Sequence, residues 1–374
     1  MKKAEIALVT LDYPPERGGV ARYLGNLVLA SNGAIDVFVP EAHQTSGPGH
    51  VEQARLLNTS PAPPQRGGVF TWMPWRPAIS FIRSLKKKGY DRVLVSHALP
   101  FGTAAWIARM TGGPEYSVLF HGLDLRLALG SKRKSWILRR VLRKAKSVIA
   151  NSEFTAKEIR TFEPTVHPVA ITPGVESMPL PDRILARREL KVRNDEFIIL
   201  SVARLVPRKG IDQLIAALIR LPANTRLVVV GDGEDRRRLE ALTALVEDRV
   251  TFVPHATDEE RNAWYAAADV FALPVRETAD DVEGFGIVFL EASLAGLPIV
   301  AGKSGGVAEA VVDGETGLSV DPTDVDAIAD VLNRLIHDQS LRQTLGLRGK
   351  ARAEKEFQWK DRWNLFENIL KFEH

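Results

Sequence analysis

Short runs of aliphatic and β-branched residues alternate along this chain with longer stretches whose apolar positions recur at helical spacing. In the first half the short runs fall at residues 5–11, 35–40, 69–73, 92–97, 116–120, 147–151 and 169–171, and read as strands. Residues 18–31, 77–88, 101–110 and 131–146 read as helices. Residues 43–66 are rich in Pro, Gly and Ser and predict a loop. After Thr172, Pro173, Gly174 and Val175, a proline-rich and charged passage to Lys191 predicts a linker. A second series then begins, with strands at 197–202, 226–230, 250–253, 270–273 and 298–301 and helices at 211–221, 235–246, 259–268 and 286–295. Beyond Gly317 the pattern is helical, and the aromatic-rich helix near 359–372 carries enough apolar surface to require a docking partner. Strand–helix alternation predicts an α/β chain with parallel sheets covered on both faces. At 374 residues the expectation is two doubly wound domains, 1–175 and 190–357, with a cleft between them.

Composition narrows the classes. Apolar content of 45% and charged content of 26% suit a globular protein, and no apolar run approaches the ~20 residues that span a bilayer. The basic opening residues are interrupted by Glu5 and Asp12, which predicts a first strand and not a signal peptide. With no cysteine, thiolate catalysis and Cys-based zinc sites are excluded, and a cytoplasmic location is expected. The net charge of +4 conceals an asymmetry. Residues 1–175 carry 24 basic and 12 acidic side chains, the remainder 26 and 34, so the first half is expected to meet something anionic.

The densest chemistry lies at residues 280–298. Glu283 and Glu291 bracket a Gly-Phe-Gly turn at Gly284, Phe285 and Gly286 that opens an apolar helical run with Ile287 and Val288. Amides at such a helix start bind anions, and the two carboxylates are placed to hold sugar hydroxyls. Arg204 and Lys209 follow a strand and enter a helix, where two cations could neutralise a diphosphate leaving group or merely form a solvated turn. Gly18 and Gly19 follow the first strand and either admit a ligand phosphate or sugar closely or make a tight turn; they lack the dinucleotide spacing. His121 ends a strand, as a donor to a substrate hydroxyl or as a turn residue. Asp324 and Asp326 form a D-x-D at a helix start, read as capping, and no metal is expected.

Two basic elements point to a membrane. Residues 131–146 hold eight basic and no acidic side chains, among them Arg139, Arg140 and Arg143, around an apolar stripe of Trp136, Ile137, Val141 and Leu142. Either an anionic lipid surface or an ordinary amphipathic helix accounts for this. Trp72 and Trp75 precede a helix containing Phe81 and ending in Lys86, Lys87 and Lys88, a lipid-interface pattern. No nucleic-acid recognition signature is visible.

Together these motifs resemble the retaining glycosyltransferases of family 4 (group 1), with the GT-B fold of two Rossmann-like domains facing across a cleft. Glu283 and Glu291 match that family's E-x7-E, and Arg204 and Lys209 its R-x4-K. Gly231, Asp232 and Gly233, the Ser304–Gly305–Gly306 turn, Gly314 and Gly317, and residues 173–175 also fit. Residues 281–292 look most like enzymes that mannosylate phosphatidylinositol. The crossover departs from the usual Pro-Asn-Gly-Val-Asp, reading Thr-Pro-Gly-Val-Glu at residues 172–176. The resemblance implies a nucleotide-sugar donor on the second domain, GDP-mannose or a UDP-hexose, and no cofactor. Glu291 would hold the ribose, Arg204 and Lys209 the diphosphate with amides of Gly286, Ile287 and Val288 and Gly19. The base would meet backbone around Pro254, and Glu283 would position the transferred sugar, near His121. A lipid-linked or glycan acceptor would lie on the first domain, at the inner membrane face, and the last helix, about 358–374, would return to that domain. A nucleotide-sugar epimerase or hydrolase, or a non-catalytic binding module, are the other readings of this fold.

Overall fold

The computed structural model describes residues 4–16, 18–57, 74–279 and 281–371. They divide into two compact units, Met1–Gly174 with Trp359–His374, and Val175–Gln358.

In the first unit, β1 (Ile6–Val9), β2 (Ile35–Pro40), β3 (His50–Ala54), β4 (Arg92–Val95), β5 (Glu115–Phe120), β6 (Ser147–Ala150) and β7 (Val169–Ala170) form one parallel sheet in the order β3-β2-β1-β4-β5-β6-β7. Helices α1 (Gly19–Ala30), α2 (Arg76–Lys87), α3 (Thr103–Met110), α4 (Leu123–Leu129), α5 (Lys132–Lys144) and α6 (Glu153–Phe162) connect them. The second unit starts with α7 (Arg183–Glu189) and contains β8 (Phe197–Val202), β9 (Thr225–Val230), β10 (Val250–Val253), β11 (Val270–Leu273), β12 (Ile299–Gly302) and β13 (Gly317–Val320), ordered β10-β9-β8-β11-β12-β13. Its other helices are α8 (Ile211–Ala217), α9 (Arg236–Leu242), α10 (Asp258–Ala267), α11 (Ile287–Leu294), α12 (Val307–Ala310), α13 (Val325–His337) and α14 (Gln339–Glu356). The last helix, α15 (Trp359–Lys371), belongs to the first unit.

The central strands explain the parallel sheets. All six residues of β8 are buried, as a strand covered on both faces requires. Each unit has its own apolar core, one around Phe38, Phe101, Tyr116 and Phe120, the other around Phe271, Phe285 and Phe289. Side-chain caps start several helices. Ser152 Oγ accepts from the Thr155 N–H at 3.0 Å for α6, and Asp324 from the Ala327 N–H at 2.9 Å for α13. That capping is the role read for the D-x-D, and its second carboxylate, Asp326, pairs with Arg220 at 2.5 Å.

Strand order reverses between β1 and β4 in the first unit and between β8 and β11 in the second. Ligands of doubly wound sheets bind at the carboxyl end of such a switch point. The residues that follow those four strands are therefore the ones to inspect.

Several elements differ from expectation. The loop predicted for 43–66 contains β3, which pairs with β2 along its whole length. It is an edge strand with mostly part-exposed residues, so it needs no apolar run. The passage expected as linker contains α7, capped by Asp182 through the Ile184 and Leu185 N–H groups. The region expected to be helical after Gly317 begins with edge strand β13. The strand expected at 69–73 lies outside the described residues.

Candidate functional site

The loops after β8 and β11 meet in one charged cluster. Gly210 has φ +70 and ends a single turn, Pro207–Lys209, before α8. That turn presents Arg208 and Lys209 together. A Cβ at Gly210 would strike the Pro274 carbonyl, so the glycine is what lets the two loops close up. Across from it, Glu283 Oε2 accepts from Arg208 Nη1 at 2.7 Å and from Lys209 Nζ. Arg208 Nε also donates to Asp281 Oδ2 at 2.5 Å. The backbone of Glu283 is fixed independently: Gly306 N–H donates to its carbonyl at 2.9 Å, and Gly305, at φ +55, has no Cβ to collide with that oxygen. Burial alone would raise the Glu283 carboxyl, but the Lys209 and Arg208 charges overcome it and hold it at about 2. Burial works against the Lys209 ammonium and lowers its pKa, with Glu283 opposing.

Gly286 caps α11 at φ +88, where a Cβ would lie 2.6 Å from the Phe289 ring. The first N–H groups of α11, at Ile287 and Val288, have no carbonyl one turn earlier in the helix to bond, which leaves donors at the helix start. Farther along, Glu291 is buried and accepts from the Tyr265 hydroxyl at 3.0 Å. Gly231 and Asp232 follow β9 and Pro254 follows β10. Gly231, at φ +134, is required because a Cβ would enter the Ala203 carbonyl. Asp232 accepts from the Gly233 N–H at 2.8 Å and stands 3.5 Å from His255.

Two of the expected residues stand apart from the Lys209–Glu283 pair. Arg204 is exposed and takes no part in the cluster; its neighbour in the sequence motif, Arg208, stands beside Lys209 instead. The reason is local: the Pro207–Lys209 turn aims positions 208 and 209 inward. The Phe285 side chain is 2% exposed and packs on Phe357, so it can meet a ligand only through its backbone.

In the first unit a second polar group stands at the ends of β1, β4 and β5. Asp12 Oδ2 lies 3.1 Å from His97 Nε2, and Ser96 Oγ 3.0 Å from His121 Nε2. Buried Asp124 accepts the backbone N–H groups of His121 at 3.0 Å and Ala98 at 3.2 Å, tying two strand ends together. The Tyr23 ring meets His121 edge-on at 5.4 Å. Burial, with nearby His97, pushes the His121 imidazole down to about 3 despite Asp12, so it is neutral at physiological pH. His97 Nδ1 is buried and without a hydrogen-bond partner among the described residues. Gly18 is extended, at φ 176, and a Cβ at Gly18 or Gly19 would meet nothing within 4 Å. Neither packing nor backbone angle at Gly18 demands glycine, in contrast to Gly210 and Gly305. Asp12, Ser96, His97, Arg208 and Asp281 were not singled out by sequence; the position of the first three at strand ends flanking a switch point was the available signal.

The expected membrane face is partly used internally. Arg139 and Arg143 pair with buried Glu163 at 3.2 and 2.9 Å. Arg140 lies over the Trp136 ring, which is exposed, while Leu138, Val141 and Leu142 form the buried stripe of α5. Of the apolar stripe read from the sequence, Val141 and Leu142 are buried and Trp136 is on the surface. Lys86, Lys87 and Lys88 are all exposed, and Lys88 also sits over Phe38 and Phe81 and near Glu52. Trp75 packs on the core, and Trp72 lies outside the described residues. Among the described residues no helix is long and apolar enough to cross a membrane, and no group of three or more His, Asp or Glu could hold a metal ion.

Two parallel-sheet Rossmann-like units, each with polar groups gathered at its switch point, define the GT-B class of sugar-transferring enzyme. Residues 182–352 match the family described as Glycosyl transferases group 1, and residues 17–177 match Glycosyltransferase Family 4. The chain is 33% identical over 369 residues to the GDP-mannose-dependent alpha-(1-6)-phosphatidylinositol monomannoside mannosyltransferase of Mycolicibacterium smegmatis, covering 95% of each. Among solved structures it resembles a sucrose-phosphate synthase from Thermosynechococcus elongatus (TM-score 0.80, 26% identity, 98% of each chain). Anabaena HepE, solved with UDP and glucose, shares the fold (TM-score 0.80, 21% identity, 98% of this chain and 99% of that one). The chain belongs to the family 4, group 1 glycosyltransferases, and its activity is sugar transfer.

Proposed function

We propose that this glycosyltransferase moves a hexose, mannose first, from a nucleotide-diphosphate sugar to a lipid-linked or glycan acceptor, with retention and without a metal ion. The observation that carries the reading is the Lys209–Glu283 pair set at the start of α11. A cation, a carboxylate and helix-start amides converge there, the set that a diphosphate joined to a sugar needs. Lys209 and the Ile287 and Val288 amides take the charge that grows on the leaving diphosphate, and Glu291 takes the ribose hydroxyls. Arg204, exposed on the same loop, supplies a further cation for the diphosphate.

Glu283 positions the sugar. A carboxylate held at about 2 by two cations is weakly basic and a poor nucleophile, which argues against a covalent glycosyl intermediate on it. Front-side attack, with the departing phosphate receiving the acceptor proton, then accounts for retention. The first unit carries the acceptor. Gly18 and Gly19 leave room for close approach, and neutral His121, held by Ser96 and Asp124, donates to or accepts from a substrate hydroxyl without titrating. The enzyme works as a peripheral protein at the inner membrane face, where Lys86, Lys87, Arg140 and Trp136 meet anionic lipid.

The identity to a GDP-mannose-dependent enzyme favours that donor. A thermal-shift panel of GDP- and UDP-sugars, then a donor–acceptor assay with and without EDTA, tests the reading. The expected result is stabilisation by GDP-mannose and EDTA-insensitive transfer to a phosphatidylinositol mannoside. Rapid donor hydrolysis or epimerisation without acceptor overturns transfer as the activity proposed here. Binding to anionic but not neutral vesicles, weakened by salt, is expected for the membrane role.

A further inference from the structure

Glu283 carries its two cations on one oxygen. Oε2 accepts from both Arg208 and Lys209, while Oε1 accepts no hydrogen bond from the described residues. The two cations are not equivalent. Lys209 is a point charge on a flexible stem, bound at Nζ to Glu283. Arg208 is pinned at three places: Nε on Asp281 at 2.5 Å, Nη1 on Glu283 at 2.7 Å, and its carbonyl under the Arg276 N–H at 2.8 Å. Asp281 is itself held, since Thr278 exchanges hydrogen bonds with its N–H at 3.1 Å and its carbonyl at 2.9 Å. Arg276 is anchored in turn, with Nη2 on Asp212 at 2.9 Å.

We infer that Arg208, anchored by Asp281, is the fixed counter-ion that keeps Glu283 ionised and in place when Lys209 turns to a donor diphosphate. This rests on the donor reading above. A diphosphate attracts the mobile ammonium. Without Arg208 the carboxylate would then be left buried and uncompensated. With it, Oε1 remains presented to the sugar hydroxyls. Arg208 and Asp281 are thus positioning residues, and they act on recognition of the sugar, not of the nucleotide.

The full chain with Arg208→Gln, Arg208→Lys, Asp281→Asn and Lys209→Met tests this by calorimetric titration of GDP against GDP-mannose, and of UDP against UDP-glucose. Arg208→Gln is expected to weaken the nucleotide sugar by about ten- to a hundredfold, the worth of a charge-assisted contact. It should leave the bare nucleoside diphosphate within about twofold. Asp281→Asn should show the same ligand-specific loss to a smaller extent. Arg208→Lys should not rescue, because an ammonium cannot bridge both carboxylates with a planar fork. Lys209→Met should weaken both ligands. Equal weakening of both ligands by Arg208→Gln, or of neither, overturns the inference. If the unaltered chain binds no nucleotide, the donor reading itself falls, an outcome distinguished by that control.

Discussion

Replacing Glu283 by Gln tests the electrostatics of the second unit apart from any ligand. The substitution keeps the size and one acceptor oxygen but removes the charge facing Arg208 and Lys209. Its magnitude can be worked in two ways. The carboxyl stands at about 2 in the fold against an ordinary 4.5, and a gap of that size corresponds to roughly 3 kcal/mol. Removing one partner from a buried ion pair independently costs about 3–5 kcal/mol, because the remaining charge is left uncompensated. Asp281 still neutralises Arg208, so the lower end is expected, about 3 kcal/mol at neutral pH. The pH dependence follows by sign. The folded pKa is depressed, so the stabilisation is complete above the ordinary 4.5 and is lost as pH falls through about 2. The assay is urea unfolding read by mass-spectrometric hydrogen exchange, which assigns the loss to peptides of the second unit. The unaltered chain should lose stability in that unit on acidification below 4.5, and Glu283→Gln should start lower and fall less steeply. A variant within about 0.5 kcal/mol of the parent at neutral pH, or one with the same acid slope, refutes the reasoning.

Other consequences concern glycine and histidine. Gly305→Ala forces a side chain at φ +55 into the Glu283 carbonyl, and is expected to lower stability by about 1–3 kcal/mol in chemical denaturation. Gly18→Ala, with extended backbone and open space, should leave stability within about 0.5 kcal/mol while reducing transfer in the donor–acceptor assay. His121, at about 3 in the fold against an ordinary 6.5, refuses a proton that the unfolded chain accepts. Its contribution to stability therefore declines as pH drops below 6.5, and an NMR titration should show no protonation of this ring near neutrality. His121→Phe should accordingly flatten the stability profile between 6.5 and 5, a range in which the parent loses stability on acidification.

The sheets were legible because central parallel strands advertise themselves: β8 is apolar at nearly every position, and turn residues bracket it. Edge strands do not. His50–Ala54 pairs on one side only, tolerates His50, Glu52 and Gln53, and so looks like the loop around it. The site was legible where chemistry is local. Gly286 and the two glutamates lie within one turn and one helix. What escaped was set by long-range closure. Arg208 meets Asp281 and Glu283 more than seventy residues away, and only the fold of the Pro207–Lys209 turn selects it over Arg204. Part of the basic face of α5 escaped in the same way, since Arg139 and Arg143 pair with Glu163, which arrives from another helix end.

The first unit is completed by a helix encoded after the whole second one. Tyr23 of α1 lies against Trp359 at 5.3 Å and Phe366 at 6.4 Å, Gly174 leaves no room for a Cβ beside the Trp359 indole, and Arg92 donates to the Leu370 carbonyl. Translation runs at ~5–20 residues per second, so a ribosome that has finished Gly174 needs about 10–40 s more to reach α15. That interval is spent making the second unit, which has all its segments once Gln358 is added, while the first waits throughout with the Tyr23 face uncovered. The later-synthesised unit is therefore the one able to finish first, and the bare face of α1 is the surface on which a nascent-chain chaperone has its window.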